Sequence, residues 1–218
     1  MRVQRDTFSQ RGIVLRNSPY GESDALITLL LAERGKLTVL AKGIKRSRKR
    51  FMGGVDLFNA GVFTVEYAAN RLPLLTALSE RRSFEGLSTN LRAFTAASVV
   101  LEVTSHLCLD QDPEGGLYLE SLLSCLEHLC ATPSSPLPPT VRYLVQLLTA
   151  SGFSEFETLT SSHPEVARFL QEGHSAPEEA LLTRLLAELL RSVEIIISRQ
   201  LAVRASAERF LIDRARKS

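Results

Sequence analysis

The chain has 218 residues, of which 44% are hydrophobic and 23% charged, an ordinary composition for one large soluble domain or two modest ones. With no run of eighteen apolar residues and no apolar segment in the N-terminal MRVQRDTFSQ, the expectation is a cytosolic protein without membrane span or secretory leader. The net charge of +2 conceals an asymmetry: residues 1–86 carry fifteen Lys/Arg against eight Asp/Glu, residues 87–190 four against thirteen, and residues 191–218 seven against three. A division of that kind points to a basic, nucleic-acid-facing end.

Up to residue 86 the pattern is one of short strands. GIVLRN (12–17), DALITLLLA (24–32), KLTVLAK (36–42), GVFTVEY (61–67) and PLLTALSE (73–80) are apolar or alternating runs bounded by turn clusters such as Asn17-Ser18-Pro19 and Glu33-Arg34-Gly35. In KLTVLAK, period two puts Leu37, Val39 and Ala41 on one face, and Lys36, Thr38, Leu40 and Lys42 on the other. DALITLLLA suits a helix by periodicity alone, but its length and its place between two turns favour a strand. Five short strands in one small domain suit a closed barrel, because closure removes exposed edges.

From residue 87 the period lengthens. Ser88-Thr89-Asn90 offers N-cap residues, and Leu91, Phe94, Ala97, Leu101 and Cys108 follow at near-helical spacing. LYLESLLSCLEHLC (117–130) predicts a second helix that buries Leu119, Leu122, Leu123, Leu126 and Leu129. TPSSPLPPT (132–140), with four prolines, reads as a loop, and VRYLVQLLTAS (141–151) as a helix stopped by Gly152. Ser175 and Glu178 form a capping box that opens a long helix over 177–201. The organisation expected is α+β: a five-stranded barrel domain over 1–86, then an all-α domain over 87–218.

No glycine-rich phosphate loop, G-x-S-x-G or H-E-x-x-H motif is present, and no catalytic constellation emerges. The four histidines lack metal-ligand spacing, DQDPEGG (110–116) has Ser121 where a calcium loop needs a bidentate glutamate, and Cys108, Cys125 and Cys130 read as buried fillers. No enzyme, metal or cofactor is therefore expected. The strong signal is AKGIKRSRKRF (41–51), where Lys42, Lys45, Arg46, Arg48, Lys49 and Arg50 fall within nine positions. Arg16 and Lys36 on strands and Arg81 and Arg82 after the fifth add to the same sign, Phe51 follows the run, and Tyr20 lies in the preceding loop. Cations that neutralise phosphates beside rings that stack on bases are how small barrels hold single strands. The bland reading is a solvated turn. Two other functional readings are a barrel that binds structured RNA, and an adaptor whose basic loop docks on an acidic protein.

The stretch "GESDALITLLLAERGKLTVLAKGIKRSRKRF", followed by "GVDLFNAGVFTVEY" and "LPLLTALSE", resembles the N-terminal domain of the bacterial recombination-mediator family RecO. "YLVQLLTASGF" (143–153) and "LLRSVEIIISRQLAVRASAERFL" (189–211) resemble that family's later helices. The resemblance implies an OB-fold barrel joined to helices. It further implies binding of single- and double-stranded DNA, strand annealing, and help in loading RecA onto DNA coated by single-strand-binding protein. RecR and the acidic, hydrophobic C-terminal tail of the single-strand-binding protein are the implied partners, in the bacterial cytosol and nucleoid. For that tail, Arg142 beside Tyr143, with Leu147 and Leu148 nearby, is the candidate site. Many members carry a four-cysteine zinc module after the "LLxxxGF" helix. The corresponding residues 153–176 hold no cysteine, so Phe153, Phe156, Leu159, Val166 and Phe169 are expected to hold that segment instead.

Overall fold

Five strands, β1 (Arg5–Tyr20), β2 (Asp24–Leu31), β3 (Gly35–Ala41), β4 (Ala60–Ala68) and β5 (Leu74–Arg82), close a barrel in the order β1-β2-β3-β5-β4. The computed structural model describes residues 5–46, 50–51, 54–68, 71–112, 115–152, 164–170 and 176–216. Strand pairs are antiparallel except β3 with β5, which meet in parallel at Leu40 and Leu74. β1 begins seven residues before the apolar run that announces it, because the polar RDTFSQR pairs with β4, from Arg5 opposite Ala68 to Ile13 opposite Ala60. Its second half pairs with β2, from Gly12 opposite Leu31 to Tyr20 opposite Asp24. Gly12 sits where both neighbours converge: a Cβ there would lie 2.5 Å from the Leu30 carbonyl oxygen. The alternation expected for β3 is observed, with Leu37, Val39 and Ala41 inside a core shared with Ile27, Leu29, Phe63, Val65 and Leu75.

Helices α1 (Glu85–Ser88), α2 (Leu91–Leu107), α3 (Gly115–Ala131) and α4 (Leu137–Ala150) form one compact unit with the barrel, Met1–Ser154. Asn90 caps α2, its side-chain oxygen accepting from the Ala93 amide at 3.1 Å. The buried stripe of α2 is Ala93, Ala97, Val100, Leu101, Val103, Thr104 and Leu107, so the expected Leu91 and Phe94 do not belong to it. Both are exposed. Small residues at 93 and 97 let the backbone approach its neighbours closely, and that turns the larger side chains outward. α3 buries four of its five expected leucines, with Leu123 only half-buried. α4 starts inside the proline-rich stretch expected to be loop, with Pro138 and Pro139 in its first turn. First-turn amides have no intrahelical partner, so proline removes nothing there. Gly152 ends α4 at φ +82°.

Tyr143 lies at the centre of the helical layer. Its hydroxyl donates to Thr104 Oγ1 at 2.6 Å, and Thr104 donates in turn to the Val100 carbonyl at 2.6 Å. Burial raises the Tyr143 phenol well above its ordinary range and pushes the thiols of Cys108 and Cys125 up to about 12. Cys130, expected to be buried as well, is half-buried.

The barrel and α2–α3 are tied by charge. Lys36 Nζ donates to the Ser105 carbonyl in the last turn of α2 at 2.8 Å and lies 3.5 Å from Asp110. Arg11 pairs with Glu120 at 2.7 Å, and Arg82 with Glu127 at 2.6 Å. The excess of positive charge before residue 86 and of negative charge after it is thus partly consumed inside this unit. Gly35, at φ +57°, lets the segment around Asp112 pass so close that a Cβ would sit 2.6 Å from its carbonyl oxygen.

A second unit comprises Glu155–Ser218. There α5 (Pro164–Leu170) buries Val166 and Phe169, and α6 (Glu179–Arg216) buries Leu182, Leu185, Leu189, Val193 and Ile196 at helical spacing. Ser175 of the expected capping box, and Phe153, Phe156 and Leu159, lie outside the described residues. Among the described residues no helix is long and apolar enough to cross a membrane, and no group of three or more His, Cys, Asp or Glu is arranged to hold a metal ion.

Candidate nucleic-acid interface

The connection from β3 to β4 carries the basic run, and its stem is fixed by a carboxylate. Asp24 Oδ1 accepts from the Gly43 amide at 2.8 Å and from the Ser23 hydroxyl at 3.2 Å. The Lys45 amide donates to the Ser23 carbonyl at 3.2 Å, and Lys45 Nζ to the Glu22 carbonyl at 3.3 Å. Gly43, at φ +63°, makes the turn that these bonds require. On the far side, Phe51 and Val55 plug the barrel core, and Asn17 Nδ2 donates to the Val55 carbonyl at 2.8 Å. The stem is pinned at both ends, and Lys42, Lys45, Arg46 and Arg50 all remain exposed.

Beside this connection, the outward side of β1–β2–β3 divides into two parts. Near α2 it is covered: Leu30 is fully buried, and the Lys36 side chain retains only 14% of its accessibility. Away from α2 it is open. Arg16 stands opposite Thr28, and Thr28 opposite Thr38, with the two threonine hydroxyls 3.4 Å apart. One row further on, Ser18 stands opposite Leu26 and Leu26 opposite Leu40, and Tyr20 completes the β1 edge with half its surface exposed.

Two grooves border the turn that ends the connection. The first, of about 440 Å³, is lined by residues that include Asn17, Pro19, Ile44, Lys45, Val55 and Leu57. The second, of about 370 Å³, lies between β1 and α2 and is lined by Leu15, Arg16, Leu57, Phe58, Ser98, Leu101, Glu102, Ser105 and His106. Leu57, more than a third exposed, is the wall they share. The turn presenting it is strained and hydrogen-bonded within itself. Phe58 adopts φ +64°, costly for a bulky side chain. It is held there because Asn59 Oδ1 accepts from the Asp56 amide at 3.0 Å and Asp56 Oδ1 from the Leu57 amide at 2.8 Å. The Phe58 ring packs edge-on against Phe94, centroids 5.5 Å apart.

The expected site residues therefore separate into groups. Lys42, Lys45, Arg46 and Arg50 sit together on the connection, and Arg16 on the open strand face; Arg48 and Lys49 lie outside the described residues. Phe51 was expected as a stacking platform, but it is 1% exposed and belongs to the barrel core, while Arg50 lies over its ring at 5.4 Å. Tyr20 is the aromatic residue with an accessible ring beside the basic run. Lys36 is spent on the seam with α2, and Arg82 on Glu127; Arg81 is exposed at the β5 terminus, beside that seam. At the expected tail site, Tyr143, Leu147 and Leu148 are all 2% exposed or less and face the interior of the helical layer, and Arg142 is partly buried. Asn17, Ile44 and Leu57 were missed. A trace of the strained turn was present in "DLFN", where Asp56 and Asn59 bracket a Leu-Phe pair.

A family model described as "Recombination protein O N terminal" matches residues 1–84, and one described as "Recombination protein O C terminal" matches residues 88–154. The change from one to the other falls where β5 gives way to the helices. Among similar curated proteins is a DNA repair protein RecO of Anaeromyxobacter sp. (strain K), 36% identical over 132 residues, or 60% of this chain and 52% of that protein. The DNA repair protein RecO of Gloeobacter violaceus is 34% identical over 173 residues, 77% of this chain and 66% of that protein. That of Cutibacterium acnes is 30% identical over 158 residues, 68% and 62% respectively. The chain spans about half the length of the Anaeromyxobacter relatives it matches.

Proposed function

Because the chain belongs to the RecO family of DNA repair and recombination proteins, we propose that it is a non-enzymatic mediator that binds single- and double-stranded DNA through the β3–β4 connection and the open face of β1–β2–β3. Phosphates lie along Lys42, Lys45, Arg46 and Arg50, with Arg16 on the strand face, and bases lean on Tyr20 and the outward leucines. A surface that grips backbones leaves Watson–Crick edges free and screens the repulsion between two strands. Annealing of complementary strands follows from that arrangement. In this reading the protein also assists RecA loading on DNA coated by single-strand-binding protein, with RecR and that protein's C-terminal tail as partners.

The observation that supports this reading most is the joint exposure of four cations on a connection pinned beside an uncovered strand face. A salt titration of oligonucleotide binding by the full chain tests it. Four phosphate contacts to a single strand give a log-log slope of about −3, and replacing Lys42, Lys45, Arg46 and Arg50 by Gln removes on the order of several hundredfold in affinity at 0.1 M salt. Undiminished binding by that variant would overturn the proposal.

A further inference from the structure

We propose that the groove between β1 and α2 is a nucleobase subsite, entered by a base of the bound strand that has passed over Leu57. This inference rests on the DNA-binding reading above and adds a chemical preference to it. The groove has a floor of Leu15, Phe58 and Leu101 and a polar rim of Arg16, Ser98, Glu102, Ser105 and His106. Its volume of about 370 Å³ falls in the range of small-molecule sites. An apolar floor with a few polar groups around it suits a planar heterocycle, and it adjoins the candidate interface directly through Leu57.

Charge separates the two halves of a nucleotide here. Glu102 is exposed on the α2 side and repels phosphate, whereas Arg16 on β1 and Lys45 in the neighbouring groove attract it. The backbone is thereby kept on the β1 side and the base is turned toward α2. Leu57, held on a turn whose strained Phe58 is fixed by Asp56 and Asn59, projects between the two grooves as an apolar wedge between successive bases. A carboxylate at the rim accepts hydrogen bonds and donates none. It therefore favours bases that present an exocyclic amine, such as cytosine, over thymine, which presents a carbonyl at the same position.

The test compares oligo-dC with oligo-dT of equal length, bound by the full chain and by its Glu102→Ala variant. The wild-type chain is expected to prefer oligo-dC several-fold. The variant is expected to lose that preference, through weaker binding of oligo-dC and unchanged or tighter binding of oligo-dT. If Glu102 acts only as a repulsive charge, its removal tightens both equally, and that result overturns the subsite. Ser98→Met, which fills the groove without changing charge, is expected to weaken oligo-dC binding several-fold with unchanged thermal unfolding; full affinity in that variant also overturns it. Failure of the wild-type chain to bind either oligonucleotide would instead remove the DNA-binding reading, so the two failures are distinguishable.

Discussion

Lys36 and Lys42 stand on or just beyond the same strand and, by period two, belong to the same side of the sheet. One is largely covered by α2, bonded to the Ser105 carbonyl and close to Asp110; the other is exposed at the root of the basic connection. The covered and open halves of one barrel face therefore use the same residue type for opposite purposes. At the covered half a cation meets the carbonyl end of a helix, where the dipole favours it, and stabilises the seam. At the open half like charges accumulate on one exposed connection, where Lys45 Nζ and Arg50 donate to backbone carbonyls of the connection and its neighbouring turn, and the proposed counter-charge is an external polyanion. Position relative to the helices, and not the charge itself, separates the lysine of the seam from the exposed lysine proposed to face DNA.

The largest effect expected under this division comes from a residue at the boundary. Phe51→Ala removes a ring wholly inside the barrel, and large-to-small changes of that kind cost about 3–5 kcal/mol. Thermal or denaturant unfolding should register the loss directly. A platform residue would behave in the opposite way, leaving stability intact and weakening only oligonucleotide binding.

Lys36 and Lys42 themselves provide the next test. Lys36→Met leaves the seam around Ser105 and Asp110 without its cation and is expected to destabilise by about 1–3 kcal/mol, with little change in the salt slope of DNA binding. Lys42→Gln is expected to leave unfolding unchanged and to lower affinity about fivefold at 0.1 M salt, the contribution of one single-strand phosphate contact. Similar behaviour of the two variants in both assays would erase the distinction between the halves.

Much of this was legible in the sequence, and the exceptions have identifiable causes. Period two placed the inward residues of β3, and a run of like charges marked the connection, because both signals are local. The position of Phe51 was not legible, since an irregular connection has no period to say which side chain turns inward. The fates of Lys36, Arg11 and Arg82 depend on helices more than 65 residues away along the chain in the first case, and about 109 and 45 in the others. Such pairings leave no trace at either partner. The early start of β1 was hidden because its polar residues gain regular structure from pairing with β4, which closure of the barrel supplies. Leu91 and Phe94 had the right spacing for a buried stripe, but so does the Ala93–Ala97–Val100 row beside them, and only tertiary packing chooses between two such rows.

The smallest effect expected is also the one whose sign discriminates most sharply. Asp24 is a carboxylate that bonds the stem of the basic connection, through the Gly43 amide. As a negative charge near the proposed phosphate contacts it should oppose DNA binding, and simple electrostatics predicts tighter binding when it is removed. As the acceptor that holds Gly43 in its left-handed turn, it should favour binding, because a loose connection spends affinity on ordering itself. Asp24→Asn discards the charge and keeps an acceptor oxygen; Asp24→Ala discards both. The expected order of affinity is Asn at or above wild type, and Ala a few-fold below it, measured with one oligonucleotide at one salt concentration. If Ala bound more tightly than wild type, the carboxylate would be a plain negative charge, and the pinned stem would contribute nothing to recognition.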